Sequence, residues 1–192
     1  MVRGAKFESG EFVEAALVLL AEGGPSAATM AAIARRAGAP TGSIYHRFPS
    51  RSAVVAAAWL QALTAFADAI EAALTAPDAP MLVAWSRAHP RLARVLFLNE
   101  PASLFDAAPP EALSDAIRAQ EARLEQAFQN RVPDGPRRAE AFARLRFAVI
   151  DGPVALIRPY LQSGEPIPAF LDGLAAELGA VAKTGPALEA AE

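Results

Sequence analysis

The chain has 192 residues, 53% of them apolar and 20% charged, so a sizeable core can form and global disorder is excluded. There is no cysteine, which removes disulfide frameworks and thiolate chemistry and fits a reducing, cytoplasmic setting. The formal net charge is −3, and its distribution says more than its sum. Between Gly23 and Ala67 there is no Asp or Glu, whereas Arg35, Arg36, Arg47 and Arg51 all fall there. A basic stretch of +4 therefore sits on a remainder of −7. That arrangement suits phosphate contact at one end and repels nucleic acid elsewhere.

Alanine is abundant and β-branched residues never alternate, so the expected class is all-α. Residues 1–8 are polar. A first helix is expected over 9–22, with Phe12, Ala15, Ala16, Leu19 and Leu20 on one face, stopped by Gly23, Gly24 and Pro25. A short helix follows over 29–37, with Met30, Ile33, Ala34 and Ala37 at i, i+3, i+4, i+7 and Thr29 as its N-cap. Gly38 is placed where a left-handed residue ends a helix. Pro40 then precedes a third helix over 41–48, with Ile44 and Phe48 pointing inward together.

A long helix is expected over 51–73, then a boundary at 76–80 and helices over 81–88 and 91–98. A proline-bearing connection at 101–110 leads to a helix over 111–129 carrying Leu113, Ile117, Leu124 and Phe128. Another helix spans 137–161, kinked near Asp151-Gly152-Pro153 by the missing proline N–H. The last spans 169–182. No apolar run approaches the roughly 18 residues that cross a bilayer, so no membrane partner is expected. The expected organisation is a head over 1–50, a helical body over 51–183 and a disordered tail over 184–192.

Two short helices joined by a glycine turn form a helix-turn-helix when the second lies across the first. The second helix must bring small, hydrogen-bonding side chains to the major groove. Thr41, Gly42 and Ser43 supply these, followed by Tyr45 and His46, with Arg47 and Arg51 placed for phosphate neutralisation. Tyr45 as a core aromatic and His46 as a solvated histidine are the alternatives. Arg35 and Arg36 read as solvated side chains.

The stretch from Thr29 to Arg51, with its Ile33-Ala34, Ala37-Gly38, Gly42-x-x-Tyr45, Phe48 and Ser50-Arg51, resembles the DNA-binding signature of the TetR family of regulators. The resemblance implies a homodimer whose two heads bind a palindromic operator on double-stranded DNA. It also implies a body that takes a small-molecule effector in an apolar pocket and, in the usual mode, repression released by that effector. Carried over by position, Thr29, Tyr45 and Arg51 would contact phosphates, and Thr41, Gly42, Ser43 and His46 would lie at base edges. Ala39 stands where valine is usual. Ala31 stands where some members place a base-reading polar residue, so shape and backbone terms would carry more of the specificity.

For the effector pocket the candidates are Trp85, Phe97, Phe105, Phe128 and Phe147, with Asp151 as a polar anchor. Plain core is the other reading for the aromatics, and a surface ion pair with Arg146 the other for Asp151. For the dimer interface the candidates are Leu156, Tyr160, Phe170, Leu174 and Leu178 on the last two helices, intramolecular packing being the alternative. An enzyme is not expected. His46 and His89 are too far apart for a helical metal pair, and neither a phosphate-cradling G-x-x-x-x-G-K-[ST] nor a G-x-S-x-G elbow occurs. No cofactor or metal is expected. The competing functional reading is a helical small-molecule-binding protein that no longer binds DNA.

Overall fold

A computed structural model describes residues 8–75 and 81–183. The expected boundary at 76–80 and the tail at 184–192 lie outside the described residues. Every described regular element is helical. The described residues form two compact units. The first holds everything up to Ala65 together with Arg91–Gln120, and the second holds Phe66–Pro90 with everything from Glu121 onward.

In the first unit, α1 (Ser9–Ala27) buries Phe12, Val13, Ala16, Leu17 and Leu20, so its apolar stripe faces the core as its spacing requires. Gly24 breaks it at φ 69°, ψ −166°, and the chain resumes for one more turn. The glycine stop is therefore real, but it kinks the helix instead of ending it. α2 (Met30–Arg36) is capped by Thr29, whose Oγ1 accepts from Ala32 N at 3.2 Å. Gly38 turns the chain at φ 68°. α3 (Thr41–Tyr45) is shorter than the sequence suggests, because Pro49 prevents continuation and residues 46–47 form a turn. α1 packs on α2 and α2 on α3. Ile33 and Ile44 are wholly buried and Phe48 nearly so.

The helix α4 (Arg51–Thr75) begins in this unit, its first turn capped by Ser50 Oγ accepting from Ala53 N at 3.2 Å. Two further helices, α6 (Pro90–Leu98) and α7 (Pro101–Leu104), also belong here. Arg94 of α6 donates to the carbonyl of Ala21 at 2.6 Å, and Arg91 pairs with Glu14. α7 is a one-turn helix inside the connection expected to be irregular, started by Pro101 at its first position.

The second unit takes the rest of α4, α5 (Met81–Ala88), the end of α8 (Glu111–Gln129), α9 (Arg138–Arg146), α10 (Gly152–Ser163) and α11 (Leu171–Lys183). Its buried residues include Ile70, Leu82, Val83, Phe128, Ile157, Leu161 and Leu171. Arg123 of α8 forks across Asp68 and Glu71 of α4 at 2.8 and 2.5 Å. Arg87 of α5 donates to the carbonyls of Ile167 and Pro168 and pairs with Asp172 at 3.2 Å.

The expected kink near Pro153 is resolved differently. Residues Phe147–Asp151 form a π-turn between α9 and α10, in which Gly152 N donates to the carbonyl of Phe147, five residues back. A proline at 153 has no N–H for the carbonyl four residues earlier, and the widened turn absorbs that loss without breaking the helix. Gly152 also has no room for a side chain. A Cβ there would meet Leu178 Cδ1 at 2.7 Å and the Phe147 carbonyl oxygen at 3.0 Å.

Among the described residues one helix, Arg51–Leu74, is long and apolar enough to cross a membrane by length and composition alone. Its most apolar window is 61% buried inside the protein, as a core helix is.

Candidate nucleic-acid interface and effector cavity

The α2–α3 end of the head is built by three local devices. The Thr29 cap starts α2, the left-handed Gly38 turns the chain, and Pro40 starts α3. Buried Ile44 fixes which way α3 faces, so Thr41, Gly42, Tyr45 and His46 lie on its exposed side. Tyr45 is 55% exposed, which removes the core-aromatic alternative. Arg47 is exposed beyond it. Gly42 has open space where a Cβ would stand, so the backbone can approach a partner closely.

The hydroxyls carry more definite roles than the sequence could assign. Ser43 Oγ donates to the Pro40 carbonyl at 2.6 Å, so toward a base it is left as an acceptor. Thr29 Oγ1 uses a lone pair on its cap, which leaves its proton to donate elsewhere. Arg36 pairs loosely with Glu22 at 3.5 Å, both half-exposed. His46 and Arg47 stand on the same exposed turn.

Arg51 is the clear departure from the sequence reading. Its guanidinium is turned inward: Nε donates to Ala28 O at 3.0 Å, Nη2 to Pro25 O at 2.6 Å and Nη1 to Leu104 O at 2.9 Å. Asp106 stands 3.7 Å away. A guanidinium has five N–H donors, and here three carbonyls and a carboxylate take its planar fork. Arg51 thus ties the loop before α2 and the end of α7 to the start of α4, and its donors are not directed at a phosphate. Next to it, Ser52 Oγ donates to Asp106 at 2.5 Å and accepts from Ala107 N at 3.2 Å. The Ser52 hydrogen bond, helped by backbone N–H groups and Arg51, holds the Asp106 carboxyl below its ordinary value against some desolvation. No sequence signal marks this cluster, because its acid comes from a connection fifty-odd residues away.

In the second unit a cavity of about 160 Å³ is lined by Leu74, Leu82, Leu145, Val149 and Pro153 among others, with Arg131 at its wall. None of the six residues expected at the effector pocket lines it. Trp85 is buried against Phe66, their ring centroids 5.4 Å apart, and Phe128 is buried against Phe142 at 6.2 Å. Phe97 and Phe105 are half-buried within the first unit. Phe147 is 47% exposed, and Asp151 pairs at the surface with Arg146 at 3.5 Å. The cavity is walled mainly by aliphatic residues, with three alanines of no sequence prominence, Ala73, Ala148 and Ala175. Trp85 and Phe128, being large, fill space in the core instead of lining this cavity.

Of the expected interface residues, Phe170 is 63% and Leu174 39% exposed, while Leu156 and Tyr160 are half-buried. Leu178 packs on Gly152 of its own chain. Among the described residues no cluster of His, Cys, Asp and Glu could hold a metal ion.

The described regular elements are all helical, and α3 stands exposed in the first unit with Thr41, Gly42, Tyr45 and His46 on its open side. Residues 12–58 match the family model of bacterial regulatory proteins, tetR family. No curated protein sequence matches the chain. Among solved structures it is similar to FadR from Bacillus subtilis, a transcriptional regulator solved in complex with stearoyl-CoA. Identity there is 14%, with a TM-score of 0.67 over 93% of this chain and 99% of that one. FadR from Bacillus halodurans gives 18% identity and a TM-score of 0.62, with 93% and 99% covered. SmeT, the repressor of the Stenotrophomonas maltophilia multidrug efflux pump SmeDEF, gives 18% and 0.56, with 93% and 91% covered. These identities establish a shared fold. The match of residues 12–58 makes this stretch similar to the tetR family model, and the fold of the chain is one it shares with these regulators.

Proposed function

We propose that the protein is a ligand-responsive repressor that binds a palindromic operator as a homodimer in the cytoplasm and is released by a small, mainly apolar effector. The head over 1–50 does the reading and the body over 51–183 takes the effector and the second protomer. One observation carries this reading: α3 exposes Thr41, Gly42, Tyr45 and His46 together in a stretch free of acids, on the unit whose sequence matches the family. In this reading Thr29, Tyr45 and Arg47 contact phosphates, and Thr41, Gly42, Ser43 and His46 face base edges. Arg51 acts by positioning the head. SmeT is a repressor and B. subtilis FadR was solved with stearoyl-CoA, which supports both repression and an effector with an apolar part. The exposed Phe170 and Leu174 support a second protomer on α11 and the turn before it.

A gel-shift against the DNA flanking its own gene, at two salt concentrations, tests the reading. Salt-sensitive, saturable binding is the expected result, and its absence on every fragment sinks the proposal. Ser43→Ala should weaken specific sites more than random DNA; equal weakening would remove Ser43 from the base edges.

A further inference from the structure

The cavity of the second unit is apolar over most of its wall, and its charged lining residue is Arg131. Arg131 follows directly on α8, where its backbone N–H donates to Phe128 O at 3.0 Å. Its guanidinium makes no hydrogen bond or ion pair with any described residue. The neighbouring acid, Asp134, is taken by Arg138, which also bonds Gln129. Beside Arg131 the wall is formed by Leu145 and by Ala148 and Val149 of the π-turn. The chain therefore sets an uncommitted cation at the rim of an aliphatic hollow. Charge in such surroundings favours an anion that can bring its own apolar body into the hollow.

We propose that this cavity is the effector site and that its ligand is a small apolar carboxylate, the carboxylate held by Arg131 and the hydrocarbon lying against Leu74, Leu82, Leu145 and Val149. The proposal rests on the regulator reading above and names its effector class. A cavity of about 160 Å³ is close in size to one that accommodates a benzene ring, so the hydrocarbon part has about six to eight carbons. Arg131 gives the fork that a carboxylate matches with two parallel hydrogen bonds, which a neutral amide cannot reproduce.

The test uses the full chain with benzoate, phenylacetate, hexanoate and octanoate, each against its primary amide, followed by calorimetry and thermal shift. At least one carboxylate is expected to bind about tenfold or more tightly than its amide, the size of a charge-assisted hydrogen bond at a partly exposed site. Arg131→Gln, at an exposed position, should keep the native melting temperature without ligand and bring the carboxylate down to the level of its amide. Val149→Phe should weaken carboxylate and amide alike by filling the hollow. The proposal is overturned if no carboxylate outbinds its amide, or if the preference survives Arg131→Gln. A gel-shift on the same samples separates the two ideas. DNA binding that responds only to neutral compounds overturns the carboxylate site and leaves the regulator standing. Carboxylate binding through Arg131 without any DNA binding upholds the site and overturns the regulator.

Discussion

The head and the cavity-bearing unit reach their working geometry by opposite routes. In the head every turn is specified by a residue at the turn itself: the Thr29 hydroxyl, the left-handed Gly38 and the proline at 40. In the second unit the decisive features are long-range. Leu178 needs the missing side chain of Gly152, and the hollow beside Arg131 is left where five helices and a π-turn fail to fill space. Local punctuation gives a surface that survives most changes outside its few anchors. A hollow depends on the volume of each side chain around it.

The comparison can be broken hardest at the anchors of the head. Ile44→Ala removes a fully buried side chain and should cost about 2–5 kcal/mol in urea unfolding, with loss of DNA binding because α3 loses its orientation. Next comes Arg51→Met, which strips three carbonyls of their donor and should cost about 2–3 kcal/mol. It also sharpens the reading of Arg51. A positioning role predicts an unchanged slope of log K against log salt, whereas a phosphate contact would reduce that slope by about 0.9.

Gly152→Ala tests the other side of the comparison. The added methyl meets a movable leucine end and an immovable carbonyl, so about 1–3 kcal/mol of destabilisation is expected. The Arg131 carboxylate preference should shift with it, since Val149 belongs to the same turn, while DNA affinity at saturating stability should not.

The smallest effect is on acid stability. Asp106 is held below its ordinary value chiefly by Ser52, and Glu71 below its own chiefly by Arg123. A carboxyl with a lowered value in the folded state binds fewer protons there than in the unfolded chain. Its stabilisation is complete above the ordinary carboxylate range and is lost as pH falls through the lowered value. Thermal melts between about pH 6 and 3 should therefore fall less steeply for Asp106→Asn than for the native chain. An unchanged slope would show that the Ser52 contact does not persist in solution.

Much of the molecule could be read from the order of its residues. Helical periodicity with glycine and proline punctuation located nearly every helix, and the run from Thr29 to Arg51 identified the head, because its signals act within a few residues of themselves. Tyr45, His46 and Thr41 were placed correctly on an exposed face by the burial of Ile44 alone. What the order of residues could not decide was how distant groups meet. Arg51 looks like a phosphate ligand until Pro25, Ala28 and Leu104 present their carbonyls to it. Trp85 and Phe128 look like pocket walls until they are seen filling the core, and Arg131 looks like one surface arginine among many until an aliphatic hollow opens beside it. Secondary structure and the head follow from local sterics and hydrogen bonding, which the sequence carries directly. Hollows and hydrogen-bond hubs follow from which surfaces are left over after packing, and only the tertiary structure decides that.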